Sequence, residues 1–389
     1  MKPCIDNPAA PARGAARRWL AAAACAFVLC ACGGGSSGQG GGQAGGQAGS
    51  GAAPPPAAAA APAPDLSGAD SSAALQAHAE GALKGKTIAW VPLAMGLPLT
   101  EIWTRVMREE AQARGMRLEV RDPNWNTTAA LQALSALIGE KPALIVVHNP
   151  NVQLYAKELK RAEEAGIPVI QVNMVSNYKT AAYIGPDWHE VGRLLADEII
   201  HQCGGGSGQS GKVSIVQGEQ TSGVSIEQME GLSAELATDK AIQVVSSQAA
   251  NWDTTKAHDI TATVLQQHPD LCASVGFWSG MEIGAAEAIK SAGKLGQVKV
   301  YASGGEGKVD CQNVDNGLLT KVLSYDAPDQ AKAVIQVASF ILQSGARPDA
   351  FRAANYSTLH WMEKGKYDPA LCYDWNNQWR DYADSAPGQ

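Results

Sequence analysis

The 389-residue chain lacks a basic surplus: 31 lysines and arginines face 38 acidic residues, for a formal charge of -7. Nothing is left over to neutralise a phosphate backbone, which argues against nucleic-acid binding. The apolar run Trp19 to Ala31 falls short of the roughly 20 residues a membrane span needs. Catalytic signatures are missing too. His189-Glu190 has no second histidine four residues on, and no Gly-x-x-x-x-Gly-Lys loop occurs. Gly276-Phe277-Trp278-Ser279-Gly280 has the wrong spacing for a nucleophile elbow. Asp122, Asn124 and Asn126 begin like a calcium loop, but Thr127 and Ala133 replace its glycine and glutamate. No Cys-x-x-Cys pattern suggests zinc. The expectation is a non-enzymatic protein without cofactor or metal.

What is present begins with a leader. Arg13, Arg17 and Arg18 precede the short apolar run, the pattern of an export signal over residues 1–31. Leu29-Cys30-Ala31-Cys32 resembles a bacterial lipobox, which would place a lipid anchor on Cys32. Removing residues 1–31 leaves 27 basic against 37 acidic residues, an acidic body behind a basic leader. Residues 32–74 are almost all Gly, Ala, Pro, Ser and Gln, too poor in apolar side chains to offset ordering entropy, and read as a flexible tether. The expected location is periplasmic, lipid-anchored to a bacterial membrane.

From about Lys84, short β-branched runs alternate with stretches of helical period. Strands are predicted at Thr87 to Val91, Arg117 to Val120, Ala143 to Val147, Pro168 to Val172, Ala181 to Ile184, Val213 to Val216, Gln243 to Ser246, Ala273 to Phe277, Val298 to Tyr301 and Leu319 to Leu323, with a last one near Tyr356 to His360. After Asp326, residues Ala331, Val334, Ile335, Ala338, Ile341 and Leu342 fall on one helical face, and Gly345 ends the helix. Such alternation predicts an α/β protein with parallel sheets. The polar loop Gly204 to Gly211 suggests a division into two of them.

In doubly wound sheets, ligands bind beyond the carboxyl ends of the strands. Trp125, Trp188, Trp252 and Trp278 all fall there, and only three phenylalanines accompany nine tryptophans in the body. Tryptophan gives a flat apolar face with one donor, suited to stacking on a sugar ring or an aromatic ligand. Asn149, Asn173, Asp187, Glu219, Asp253 and Glu306 occupy equivalent places, and amides and carboxylates serve a hydroxylated neutral ligand. Asp187 and Asp253 serve equally well as helix N-caps. Against a polar pocket stands the apolar loop Leu93-Ala94-Met95-Gly96-Leu97-Pro98-Leu99, which faces either an apolar ligand or the core.

Residues 84 to about 363 resemble the type I periplasmic substrate-binding proteins, in the ribose- and galactose-binding branch that serves ABC importers. The segments that carry the likeness are Lys86-Thr87-Ile88-Ala89-Trp90-Val91 with Pro98, Ala165-Gly166-Ile167-Pro168-Val169-Ile170, Ile184-Gly185-Pro186-Asp187 with Gly192, Gln217-Gly218, His268-Pro269-Asp270 and Pro328-Asp329-Gln330-Ala331. The resemblance implies two similar doubly wound lobes joined by three crossovers, closing on a small molecule for delivery to a membrane permease. It also implies an N-terminal lobe of 84–185 plus 306–325, a C-terminal lobe of 186–305 plus 326–363, and a tail of 364–389. Asn149, Asn173, Trp252 and Asp253 match the family's ligand contacts in kind. Leu97 stands where the family places an amide, Gln228 for an arginine, Trp278 for an asparagine, Gly304 for an aspartate and Tyr325 for a glutamine. The resemblance therefore implies a sugar or sugar-like polyol, while the replacements favour an aromatic or apolar solute. A ligand-sensing module for a membrane receptor would use the same fold. Trp252 and Trp278 are expected to stack on the ligand, with Trp188 and Tyr325 at the rim and Gln228 among its polar contacts.

Four cysteines remain after the anchor, Cys203, Cys272, Cys311 and Cys372, and an even number in an exported body favours disulfides. Three pairings exist. In this topology the strands beside Cys203 and Cys272 are neighbours, which favours that pair and leaves Cys311 with Cys372, a bond expected to pin the tail to the first lobe.

Overall fold

The computed structural model describes residues 71–374. The leader, the proposed anchor Cys32 and most of the tether lie outside them, as does the tail beyond Asp374. A first helix, α1 (Ser72–Leu83), starts inside the stretch expected to be tether. Ser71 caps it by accepting the amide of Ala74.

From there β-branched runs and amphipathic segments alternate, and each run becomes a strand. The first six-stranded sheet contains β1 (Thr87–Val91), β2 (Arg117–Val120), β3 (Leu144–Val147), β4 (Val169–Val172) and β5 (Ala182–Gly185). Helices α2 (Pro98–Ala113), α3 (Thr127–Glu140) and α4 (Ala156–Glu164) connect them. Strands β3 and β4 are buried along their whole length, so β3 reads as an unbroken apolar run and β4 departs from one only at Gln171, whose buried amide is hydrogen-bonded to Asn149 and Thr180.

The second sheet uses the same plan. It is built from β6 (Lys212–Gln217), β7 (Gln243–Ala249), β8 (Ala273–Gly276), β9 (Lys299–Gly304) and β10 (Lys321–Ser324). The intervening helices are α5 (Trp188–Cys203), α6 (Gly223–Leu236), α7 (Thr254–Gln267), α8 (Ser279–Ser291) and α9 (Lys308–Asp315). Helices α5 and α6 lie so close that a Cβ on Gly231 would sit 2.0 Å from the carbonyl oxygen of His189, and one on Gly192 would sit 2.1 Å from that of Gln228. Both positions need glycine because backbone cannot move aside as a side-chain tip can.

The chain then returns. Helix α10 (Ala327–Ser344) packs on α2, and β11 (Ala353–Tyr356) pairs in parallel with β5, completing the first sheet in the order β11-β5-β4-β3-β1-β2. Finally β12 (His360–Glu363) pairs antiparallel with β10, giving β12-β10-β9-β8-β6-β7. The face of α10 read from the sequence is buried, and Gly345 ends the helix at φ 60°.

Two doubly wound lobes and three crossings agree with expectation, but the lobe boundaries do not. Residues 306–325 stay with the second sheet, because β10 pairs with β9. Residues 327–356 belong with the first sheet rather than the second. The crossings fall at Pro186-Asp187, at Tyr325-Asp326 and between Tyr356 and His360. Loop 204–211 joins α5 to β6 inside the second lobe and divides nothing.

Both expected disulfides form, Cys203–Cys272 and Cys311–Cys372. Cys311 lies on α9 in a core shared with Val264, Leu271 and Val300, so the second bond ties the tail to the second lobe, not the first.

Buried carboxyls make the fold sensitive to pH. Glu282 on α8 is fully buried with one oxygen accepting the Ser274 hydroxyl, and burial pushes its pKa from the ordinary 4.5 to about 8. Glu306 is pushed to about 8 by burial and the neighbouring Asp310. Between these limits the folded state holds protons the unfolded chain has released, so stability falls as pH rises from 4.5 to 8. The melting temperature is expected to be higher at pH 5 than at pH 8, with a shallower slope in Glu282→Gln. An unchanged slope in that variant would remove Glu282 from the account.

Candidate functional site

The carboxyl ends of the two sheets face one cleft, with about 460 Å³ of space free of protein atoms when the solvent at its mouth is included. From the first lobe come Leu93, Leu97, Leu99 and Thr100 after β1, Trp125 after β2, His148 after β3, and Asn173 with Met174 after β4. From the second come Trp188 at the start of α5, Val224 after β6, Trp252 after β7, and Phe277 with Trp278 after β8. Tyr325 closes the lining at the second crossing. Each sits where a doubly wound sheet presents its loops to a ligand.

The apolar loop after β1 therefore resolves toward the cleft: Leu93, Leu97 and Leu99 line it. Its tryptophans are set by their neighbours. Trp252 lies over Gly218, where a Cβ would come within 2.0 Å of the indole ring. Trp278 lies over Gly280 in the same way, at 2.5 Å. The Trp278 indole N–H donates to Glu306 at 2.7 Å, and Glu306 also accepts the backbone N–H of Leu99 at the start of α2. One carboxyl of the second lobe thus fixes a pocket tryptophan and touches the N-terminal end of a first-lobe helix. Trp188 and Tyr325 are buried in the lining rather than at its rim. Their rings meet edge to face at 5.5 Å, and the Trp188 indole N–H donates to the carbonyl oxygen of Asn173 at 2.6 Å.

Trp125 and Trp252 are a matched pair. Asn124-Trp125-Asn126-Thr127-Thr128 follows the edge strand β2, and Asn251-Trp252-Asp253-Thr254-Thr255 follows the edge strand β7. In both, the Asn-Trp pair has positive φ and the next residue caps a helix. The same local sequence thus carries a tryptophan into the cleft from each lobe. This repeat is the signal by which Trp125, 48% exposed at the mouth, is legible in the chain.

Few polar groups reach the cavity. His148 is 4% exposed, neither ring nitrogen has a hydrogen-bond partner among the described residues, and its ring rests edge-on against Trp103 at 5.2 Å. Burial pushes its pKa down to about 3, so the ring is neutral, with one donor and one acceptor nitrogen. Asn173 is 3% exposed, and its Oδ1 also lacks a partner among the described residues. The Thr100 hydroxyl donates to the carbonyl oxygen of Leu97.

Of the expected ligand residues, Trp252, Trp278, Asn173, Trp188, Tyr325 and Leu97 come together in this lining. Asn149 does not line it; its side-chain NH2 donates to Gln171 and to the carbonyl oxygen of Met174, holding the loop after β4, while its Oδ1 is buried without a partner among the described residues. Gln228 is buried on α6 with its carbonyl facing the Ser303 hydroxyl. Glu219 accepts from Thr221, and Asp253 caps α7, as Asp187 caps α5. None of these four lines the cavity. For Asp253 the local N–H three residues on was the nearer partner. His148 was not singled out, although its place directly after β3 puts it at a strand end.

Among the described residues no group of His, Cys, Asp or Glu could hold a metal ion, and no helix is long and apolar enough to cross a membrane.

Comparison with known proteins agrees with the architecture. A family model described as a periplasmic binding protein domain matches residues 88–346. The ribose import binding protein RbsB of Bacillus subtilis is 26% identical over 189 residues, covering 48% of this chain and 60% of that protein. RbsB of Salmonella typhimurium is 27% identical over 265 residues, covering 67% of this chain and 86% of its own length. Among solved structures, an Actinobacillus succinogenes solute binding protein with bound D-allose superposes with a TM-score of 0.63 at 21% identity, over 72% of this chain and 98% of the other. A Caulobacter myo-inositol binding protein gives 0.65 at 21% identity, over 72% of this chain and 93% of the other. The structural matches bear on fold alone.

Proposed function

This chain belongs to the periplasmic binding protein domain family, and on that premise we propose that it is the solute-capturing component of an ABC importer. The observation that carries the reading is a cavity whose lining is drawn from the strand ends of both sheets. A ligand seated there contacts both lobes at once. It favours the closed arrangement by the difference between its affinities for the closed and open forms. The closed lobes then present a joint surface to a membrane permease. The leader at 1–31, lipidation at Cys32 and the tether beyond it would hold the protein at a membrane facing the periplasm.

Kinship with ribose-binding proteins makes a sugar or sugar-like polyol the first candidate solute. The apolar lining favours a second, an aromatic or otherwise apolar one. The test is a thermal-shift screen of purified protein, stripped of any carried ligand by denaturation and refolded with its disulfides oxidised. D-ribose, D-allose and myo-inositol are set beside neutral phenols and alicyclic alcohols. One class is expected to raise the melting temperature, since a ligand at 100 times its Kd adds about 2.7 kcal/mol. Trp252→Ala is expected to abolish that shift. A protein indifferent to every compound would overturn the capture reading.

A further inference from the structure

We infer that the cleft takes a neutral solute with an apolar ring for a body, phenol-like or alicyclic, carrying one or two hydroxyl or carbonyl oxygens that His148 and Asn173 read. This rests on the capture reading above and names the class of cargo. Stacking alone does not separate such a molecule from a sugar, because tryptophan faces accept both. The polar inventory does. A hexose carries a hydroxyl on nearly every carbon, and each one buried without a partner is costly. The lining offers the His148 ring, the Asn173 carboxamide, the Tyr325 hydroxyl, the indole N–H groups of Trp125 and Trp252, and a Thr100 hydroxyl already donating to Leu97, with no charged side chain among them. The residues expected to supply more, Asn149, Gln228, Glu219 and Asp253, do not line the cavity.

The groups that remain suit a sparse pattern of oxygens. Both nitrogens of His148 and Oδ1 of Asn173 are buried without partners among the described residues, in walls otherwise made of leucine, methionine, valine and aromatic rings. Buried polar atoms of this kind await a partner. A hydroxyl supplies one to each, donating to Oδ1 of Asn173 and accepting from the imidazole N–H. Trp125 and Trp252, brought by the same local sequence from opposite lobes, add one indole from each lobe to the lining.

Charge is disfavoured in both directions. No lysine or arginine lines the cavity to meet an anion. A cation would gain from the ring faces but finds no carboxylate in the lining; Glu306, which touches it, is held mostly uncharged near neutrality by a pKa of about 8 and is already engaged with Trp278 and Leu99.

The experiment uses the stripped, refolded protein, with melting temperature and tryptophan fluorescence as readouts. The probes are p-cresol, cyclohexanol and menthol, their hydroxyl-free counterparts toluene and methylcyclohexane, D-ribose and myo-inositol, and the charged benzoate and phenyltrimethylammonium. At least one hydroxylated ring is expected to bind, and the sugars and charged probes are not. His148→Phe, which keeps a ring against Trp103, is expected to weaken the hydroxylated probe at least tenfold while leaving its hydroxyl-free counterpart unchanged. Asn173→Gly is the second variant, since glycine tolerates the φ of 63° at that position while deleting the carboxamide. Binding of D-ribose or myo-inositol alone would overturn the inference and leave the capture reading standing. Preference for benzoate or phenyltrimethylammonium would overturn it on charge. Equal loss of hydroxylated and hydroxyl-free probes in both variants would overturn the roles of His148 and Asn173. Silence across the whole panel would remove the inference together with the capture reading.

Discussion

Trp188→Ala is expected to destabilise the protein by about 3–5 kcal/mol, the usual cost of deleting a fully buried tryptophan. The residue is 1% exposed and opens α5 immediately after the first crossing between the lobes. Its ring packs on Tyr325, which stands at the second crossing, and its N–H holds the carbonyl oxygen of Asn173 in the first lobe. One side chain therefore ties two crossings to a strand end, and its removal opens a void where the lobes meet. The same substitution strips a wall from the cavity, so solute affinity is expected to fall at least tenfold. Trp188→Phe separates the two parts. It restores most of the packing and loses the indole donor to the Asn173 carbonyl oxygen. A deficit of about 1 kcal/mol remains, the usual net value of one hydrogen bond. Urea unfolding gives both numbers, and a midpoint for Trp188→Ala equal to wild type at unchanged m would refute the argument.

Loss of the Cys203–Cys272 bond ranks next. It joins the end of α5 to the start of β8 and closes a segment of 69 residues. Chain-entropy reasoning assigns a loop of that length about 4 kcal/mol. The double variant Cys203→Ala/Cys272→Ala is expected to lose that much in chemical unfolding. The Cys311–Cys372 bond spans 61 residues and carries a similar entropic share. The two differ in access: Cys203 and Cys272 are both buried, whereas Cys372 is partly exposed. Mild reductant is expected to free Cys311 and Cys372 first, read by alkylation and mass spectrometry. Simultaneous release of all four thiols would contradict that order.

Local patterns were legible in the chain and long-range ones less so. Strands β1 and β2 fall where predicted, because each is bounded by glycine, lysine or proline within three residues. The final strand was placed near Tyr356 to His360, but two strands flank that point. The first of them is exposed along its length and leaves no apolar alternation to read. Assignment of 306–325 and 326–363 to lobes failed for a different reason. The run Lys321–Ser324 would suit either sheet, and only its pairing with β9 decides. In the site, tryptophans at strand ends could be found from their position, since a bulky apolar side chain in such a loop must turn to core or cleft. Asp253 and Asn149 could not be settled, because a short polar side chain meets a backbone partner close by before it reaches a ligand. His148 went unremarked because nothing in the sequence distinguishes a histidine with free nitrogens from one already hydrogen-bonded.

The late return of the chain to its first lobe also governs when that lobe can exist during synthesis. Strand β11 and helix α10, which cover the edge and one face of the first sheet, are encoded after the whole second sheet up to β10. A nascent chain emerging from the ribosome therefore carries β1 to β5 through the 171 residues from Gly185 to Tyr356 before the pieces that complete their core are all made. Domains that fold as units during synthesis normally do so from the N-terminus onward; here the N-terminal unit is the one kept waiting. If the chain is exported as proposed, this delay keeps its N-terminal lobe in the unfolded form that a translocation channel accepts.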